Sequence, residues 1–187
     1  MSDLTAVWKR TDIPALEACR VIQLDDSWRL VGSAVFLYEN EPCSLSYQIG
    51  CDANWVTRST LVTGWLGNRT IDINVVHQGN GRWQLNQRDS PAVQGCTDVD
   101  LNFSPATNLL PIRRLNLEIG ATAQVRAAWV RFPSLELEPL EQSYTRLKQN
   151  LYRYESAGGR FVAELTVDEA GLVVDYGQVW SREVAQT

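Results

Sequence analysis

The stretch Cys43-Ser44-Leu45-Ser46-Tyr47-Gln48-Ile49-Gly50-Cys51 alternates large apolar side chains with small or polar ones without a break. Successive side chains of a β-strand point to opposite faces, so this period of two predicts a strand with one dry and one wet face. The dry face carries Leu45, Tyr47 and Ile49. If the sheet encloses a ligand, we expect this face to line the concave side against which the ligand lies.

The same alternation recurs along the chain, and helical periodicity is almost absent. In Trp55–Trp65 it places Trp55 and Trp65 on one face and Val62 on the other. Gln78-Gly79-Asn80-Gly81 is a strong hairpin motif, because Asn-Gly supplies the positive φ angles that a tight turn requires. Glu141–Tyr154 fits either helical or strand spacing, and its three tyrosines favour a strand.

These patterns predict an all-β fold: one large antiparallel sheet, strongly curved or barrel-like, in a single domain over residues 1–187. The 187 residues are 44% hydrophobic and 21% charged, which is typical of a chain that buries a core. A net charge of -5 argues against nucleic acid and against an anionic membrane surface as partners.

We expect a cytoplasmic protein, because Met1–Thr5 has neither the basic region nor the apolar run of a secretory signal, and no segment approaches the length of a membrane span. The four cysteines are then expected to be free thiols. With one histidine and no Cys-x-x-Cys spacing, neither a metal site nor any other cofactor is predicted. The cysteines are Cys19, Cys43, Cys51 and Cys96.

Residues 95–117, hereafter the central segment, combine an acidic pair with an arginine pair. Asp98 and Asp100 share a face if they lie on a strand, whereas the adjacent Arg113 and Arg114 would point to opposite faces of one. The two carboxylates repel unless a cation compensates them. We predict a structural pair in which at least one arginine supplies that charge. A metal ion between the aspartates and a polar site for a ligand head group are the alternatives.

Candidate catalytic residues are few. His77 precedes the Gln78–Gly81 turn, so an exposed side chain is expected, and there is no Gly-x-Ser-x-Gly motif to provide a serine nucleophile. No glycine-rich phosphate loop opens a helix, so nucleotide-dependent chemistry is not expected. Acid–base chemistry of the glycosidase kind through Asp98 and Asp100 remains an alternative.

The central segment carries a long motif, Gly-Cys-x-Asp-Val-Asp-Leu followed by Ser-Pro-x-Thr-Asn-x-Leu-Pro-Ile-Arg-Arg-Leu, which resembles the bacterial putative glycolipid-binding family, formerly a domain of unknown function. Further matches are Asp52-x-x-Trp55-x-Thr57-Arg58, Gly81-x-Trp83, Gln142-x-Tyr144, Tyr152-x-Tyr154, Val167-Asp168-x-x-Gly171 and Val174-x-Tyr176 with Trp180. The resemblance implies a β-rich domain shaped like the half-barrels of bacterial lipoprotein carriers, and an amphipathic ligand such as a glycolipid.

We therefore predict a binding protein for an amphipathic small molecule, with no catalysis. The alternatives are an enzyme that acts on a sugar or lipid through Asp98 and Asp100, and a protein-interaction module without a small ligand. The predicted ligand-binding residues are polar or aromatic side chains of the central segment and the matching motifs, namely Arg58, Asp98, Asp100, Asn108, Arg113, Arg114 and Tyr144.

Overall fold

Fifteen strands form one sheet in the computed structural model, which describes residues 4–183. In chain order the strands are β1 (Leu4–Arg10), β2 (Ala15–Leu24), β3 (Ser27–Tyr38), β4 (Glu41–Asp52), β5 (Thr57–Leu66), β6 (Arg69–His77), β7 (Trp83–Leu85), β8 (Arg88–Asp89), β9 (Asp98–Leu101), β10 (Thr122–Arg131), β11 (Glu136–Lys148), β12 (Leu151–Ser156), β13 (Phe161–Val167), β14 (Val173–Tyr176) and β15 (Trp180–Arg182). The helical elements are α1 (Leu109–Leu115) and three 3₁₀ turns, Pro91–Val93, Pro105–Asn108 and Ala157–Gly159.

The strand order is β8-β7-β6-β5-β4-β3-β2-β1-β15-β14-β13-β12-β11-β10-β9. Two antiparallel meanders thus meet where the first strand pairs with the last, and the chain crosses from one edge of the sheet to the other between β8 and β9. The predicted all-β class and the single large sheet are confirmed. The sheet is not purely antiparallel, because β9 pairs with β10 in parallel.

The central segment supplies β9, the Pro105–Asn108 turn and α1, and it packs across the inner face of the sheet. The backbone N–H of Val99 donates to Thr57 Oγ1 of β5 at 3.0 Å, and the ring of Phe103 contacts that of Tyr47 on β4 with centroids 6.2 Å apart. Leu45 and Ile49 are fully buried in the same core. The expected open ligand face on β4 is therefore wrong, because the chain fills it with its own side chains.

Two local predictions, the hairpin at Gln78–Gly81 and the strand conformation of Glu141–Tyr154, are confirmed. β6 and β7 join at the Gln78–Gly81 turn, where the N–H of Gln78 donates to the carbonyl of Arg82 at 2.8 Å. The positive φ angles of this turn fall on Gly79 and Gly81 and not on the predicted Asn80-Gly81 pair. The predicted strand conformation of Glu141–Tyr154 is confirmed, except that the segment holds the end of β11 and the start of β12 with a turn at Gln149 and Asn150 between them. Within residues 4–183 no helix has the length and hydrophobicity needed to span a bilayer.

The face assignment for Trp55–Trp65 is corrected by an irregularity. The pairing between β4 and β5 shifts register between Gly50 and Cys51, as at a β-bulge. An extra residue reverses the side to which all later residues point. Val62 is consequently buried on the same side as Trp55, and Trp65 is 44% exposed, so the prediction that Trp55 and Trp65 share a face is wrong.

Candidate functional site

Asp98 and Arg114 form a two-point ion pair that fastens α1 to β9. Arg114 Nε and Nη2 donate to the two carboxylate oxygens at 3.0 and 2.5 Å, and the Asp98 side chain is only 2% exposed. Burial raises the pKa of Asp98, and the guanidinium opposes that rise. The predicted compensation of the acidic pair by an arginine is confirmed for Asp98, and each of its carboxylate oxygens accepts a hydrogen bond from Arg114.

The arginine pair lies on a helix and not on a strand, which corrects the expected local structure. Adjacent residues on a helix are about 100° apart, so only one guanidinium can face β9. Arg114 does so, while Arg113 lies over the Trp55 ring, 5.4 Å from its centroid. Trp55 in turn stacks on Trp28 at 4.4 Å.

Asp100 is the carboxylate that faces open space. Gln142 Nε2 donates to its Oδ2 at 2.7 Å and also approaches the hydroxyl of Tyr154 at 3.0 Å. Within residues 4–183 no group donates a hydrogen bond to Asp100 Oδ1. Burial raises the pKa of Asp100 to about 6, opposed by the Gln142 hydrogen bond and reinforced by the charge of Asp98.

Asp100 lies in a groove with a volume of about 940 Å³, hereafter the Asp100 groove. This volume is within the roughly 300–1,000 Å³ typical of small-molecule sites. The groove is bordered by the central segment, by β10 and β11, and by the end of the sheet where β14 and β15 meet. Its polar lining includes Asp100, Ser104, Asn108 and Arg131, and its apolar lining includes Trp129, Leu140, Phe161, Tyr176, Val179 and Trp180.

Asn108 and Tyr144 lie together behind this groove. The Tyr144 hydroxyl donates to Asn108 Oδ1 at 2.9 Å, and Asn108 Nδ2 donates to the carbonyl of Pro105 at 3.1 Å. Burial raises the pKa of Tyr144 well above its usual value, so this hydroxyl stays a donor. The pair braces the turn of the central segment, and of the two residues only Asn108 lines the groove.

Arg58 is not brought to this site. Its guanidinium pairs with Asp52 at 2.6 Å, and Asp52 also accepts the backbone N–H groups of Asn54 and Val56. The Arg58 side chain is 43% exposed. Its neighbourhood is the loop that closes β4 onto β5.

Sequence reasoning missed Glu17, which lies on the inner face of β2 and is 1% exposed. The hydroxyls of Tyr47 and Ser104 both donate to its Oε1 at 2.6 Å, so the groove residue Ser104 is held from behind by this carboxyl. Glu17 Oε2 has no hydrogen-bond partner among residues 4–183. Burial without a cation raises the pKa of Glu17 to about 8, although the two hydroxyl bonds oppose the rise.

A glycine makes the Glu17 contact possible. The Tyr47 ring lies directly over Gly32, where an added Cβ would come within 2.4 Å of the ring and hydroxyl. One indication of Glu17 was present in the sequence: Ala15, Glu17, Cys19 and Val21 alternate as an inner face, and a glutamate at such a position must be buried with partners.

His77 is buried, which corrects the expected exposed position. Its Nδ1 lies 2.8 Å from the carbonyl of Thr57, and its ring is parallel to that of Trp83 with centroids 4.4 Å apart. All four cysteines are buried and unpaired. Among the described residues, no group of three or more histidine, cysteine or acidic side chains could hold a metal ion.

Comparisons with known proteins agree with this architecture. A family model described as "Putative glycolipid-binding" matches residues 5–182. The crystal structure of a DUF1089 family protein from Pseudomonas aeruginosa, at 1.80 Å resolution, is 35% identical and superposes with a TM-score of 0.82, covering 90% of this chain and 92% of that one. A search of curated proteins returned no match. The chain belongs to the family described as "Putative glycolipid-binding".

Proposed function

We propose that the protein binds an amphipathic ligand with a sugar head group in the Asp100 groove and performs no catalysis on it. The observation that carries the proposal is the free Oδ1 of Asp100 in a groove that is lined by aromatic and aliphatic side chains together with charged and polar ones. Small-molecule sites combine such apolar walls with a few oriented polar groups.

The polar end of the groove suits a hydroxyl-rich head. An ionised carboxylate is purely an acceptor, so Asp100 Oδ1 would take a hydrogen bond from a sugar hydroxyl. Gln142 holds the other oxygen at 2.7 Å and so orients the carboxylate before the ligand arrives. Ser104, whose hydroxyl is fixed by Glu17, is a second oriented polar group in the groove lining.

The apolar walls suit a sugar ring face and the start of an alkyl chain. Tyr154, Phe161 and Tyr176 form a cluster of edge-on rings with centroids 5.9 to 6.1 Å apart. The flat faces and edges of such rings pack against the C–H surface of a pyranose, and Trp129 and Leu140 add further apolar surface to the lining.

Acid–base catalysis by the Asp98 and Asp100 pair is not part of the proposal. A catalytic acid must exchange a proton with the substrate, and a base must reach it. Both oxygens of Asp98 are held by Arg114, and its side chain is almost completely buried. Asp100 therefore has no free carboxylate partner in the acidic pair.

Isothermal titration with octyl β-glucoside below its micelle concentration tests the proposal. Asp100→Asn should weaken binding about tenfold or more at pH 7.5, because a hydrogen bond to a charged acceptor is worth about 1.5–3 kcal/mol. Affinity of the unmodified protein should also fall as the pH drops below about 6, where Asp100 becomes protonated. That pH dependence should disappear in Asp100→Asn.

Asp175→Asn is the matched control, since Asp175 is exposed on β14, on the face opposite Tyr176. It should leave affinity unchanged. Glucose and octanol, tested alone, separate the contributions of head and chain. Equal affinity of the two variants would refute a site at Asp100, and no binding of any of these probes would favour a protein-interaction module.

A further inference from the structure

Two more grooves lie at the opposite end of the sheet from the Asp100 groove. Arg10, at one end of β1, lines the Asp100 groove, whereas Leu4, at the other end, lines a groove with Trp55. The six residue steps from Leu4 to Arg10 along β1 place these ends about 20 Å apart. The second groove, hereafter the Trp55 groove, adjoins a third around Arg146, hereafter the Arg146 groove, and Arg113 lines both.

Arg146 carries a positive charge with no carboxylate partner among residues 4–183. Its Nη1 and Nη2 donate to the carbonyls of Leu117 and Gln149, each at 2.7 Å. Its Nε is buried and has no hydrogen-bond partner in the described chain. The guanidinium also lies over the Tyr152 ring at 5.7 Å. Neutral carbonyls and an aromatic face hold this cation in place without neutralising it.

Arg113 is the second such cation. Apart from its position over Trp55, its guanidinium makes no hydrogen bond or ion pair with the residues that the structure describes. Gly171, with φ +91°, ends the Asp168–Gly171 turn and packs against α1. A Cβ at Gly171 would lie 3.4 Å from Arg113 Cδ. This turn therefore helps to hold Arg113 between the two grooves.

The acidic groups that line these two grooves are exposed or already paired, and none forms an ion pair with Arg113 or Arg146 among the described residues. Asp168 also lines the Arg146 groove, but it pairs with Arg182 at 2.6 Å. The remaining acids are Glu169, which lines both grooves, and Asp25, which lines the Trp55 groove; both are exposed, so water and salt screen them from the two arginines. The lining also contains side-chain amides, from Asn116, Gln149 and Asn150, which donate hydrogen bonds as well.

The Trp55 groove offers a different surface. Its volume is about 920 Å³, and its lining is mostly apolar: Leu4, Val21, Leu24, Trp28, Trp55 and Ala170. The stacked rings of Trp28 and Trp55 form one wall, which ends at Arg113. An apolar groove that opens next to unpaired arginines combines the two surfaces that an anionic amphiphile requires.

We infer a second binding site, for a phosphate monoester that bears an apolar chain. The phosphate would lie in the Arg146 groove between Arg113 and Arg146, and the chain along Trp28 and Trp55. A phosphate offers several acceptor oxygens and up to two negative charges, for which guanidinium groups and amide N–H groups are matched donors. This inference does not depend on the Asp100 groove, whose predicted occupant is uncharged.

Titration with dihexanoyl phosphatidic acid, followed by tryptophan fluorescence and calorimetry, tests the site. Arg113→Gln should weaken binding about tenfold or more, and Arg113→Lys by less, because lysine keeps the charge but loses the planar donors. Arg153→Gln, an exposed arginine on β12 that pairs with Glu155, is the matched control and should have no effect. Arg113 makes no hydrogen bond in the described chain, so its removal should leave the fold intact, as a thermal melt will show.

Inorganic phosphate as a separate titrant distinguishes the two sources of the chemistry. If the lipid binds and inorganic phosphate does not, the result supports an amphiphile site. If both bind with comparable affinity and Arg113→Gln abolishes the binding, the result supports a site that recognises the phosphate group itself. No binding of either, or binding that Arg113→Gln leaves unchanged, overturns the inference. Asp100→Asn should not alter phosphate binding, so the two proposed sites fail or hold separately.

Discussion

Two buried carboxyls, whose surroundings differ in charge, hold the central segment in its folded position. Asp98 meets the two-point donor of Arg114, whereas Glu17 meets only the hydroxyls of Tyr47 and Ser104. A buried anion without a cation is costly, and the proton is retained instead. The two attachments therefore act by different means: an ion pair joins β9 to α1 within the segment, and a neutral acid joins the segment to β2.

The difference implies that the two attachments respond differently to mutation and to pH. The ion pair needs both members, because removing one leaves an uncompensated charge in a largely buried place. The attachment through Glu17 weakens as rising pH removes the proton from its carboxyl group. Stability measurements on single variants can separate these two behaviours.

The largest expected effect is from Asp98→Ala. It removes the partner of Arg114 and leaves that guanidinium, only 20% exposed, without its ion pair. Breaking a buried pair in this way costs about 3–5 kcal/mol, and we expect the free energy of unfolding in urea to fall by that amount. A loss under 1 kcal/mol would show that the pair does not secure α1.

Glu17→Gln should sharpen the comparison through pH. The folded-state pKa of Glu17 is about 8 against 4.5 as the reference value, so the folded protein holds one proton more than the unfolded chain between these values. Its contribution to stability is complete below pH 4.5 and declines by about 1.4 kcal/mol per pH unit until about pH 8. Glutamine cannot ionise, so the decline due to this residue should be absent in the variant.

Urea denaturation of both proteins at several values from pH 5 to pH 8 measures this difference. The variant should gain stability relative to the unmodified protein as the pH rises. Glu164→Gln, at an exposed position of β13, controls for loss of a surface carboxylate and should follow the unmodified protein. Parallel stability curves for Glu17→Gln and the unmodified protein would contradict the neutral-acid assignment.

The smallest effect is expected from Arg58→Gln, which breaks the ion pair with Asp52. Both partners are partly exposed, at 43% and 27%, so water replaces the lost contact. Pairs of this kind contribute about 0–1 kcal/mol. A change in melting temperature comparable to that of Asp98→Ala would mean that exposure does not govern the strength of these pairs.

The fold class could be predicted because strand periodicity and turn chemistry are local. Gln78–Gly81 forms its hairpin from the conformational preferences of its own residues. The β4 alternation likewise identified the buried face with Leu45 and Ile49. What covers that face could not be read from β4, because the covering segment comes from about fifty residues later in the chain.

The site was predictable only in part for the same reason. Asp98, Asp100 and the arginines stood out as an unusual cluster of charge, and the structure does join Asp98 to Arg114. The sequence could not show which aspartate would be paired and which would face a groove, since that depends on the helical turn of α1 against β9. It also could not locate His77, whose burial depends on Trp83 across the hairpin.

By itself the sequence determined that this protein is a curved β-sheet with an acidic and basic central segment, since alternation, turns and charge are properties of neighbouring residues. Only the tertiary structure decided that the central segment covers the inner face of the sheet and that Glu17 lies beneath this segment. It also decided that open grooves remain at the two ends of the sheet. Such features arise where distant strands curve together, and burial and partner charge at each point then set which groups stay ionised.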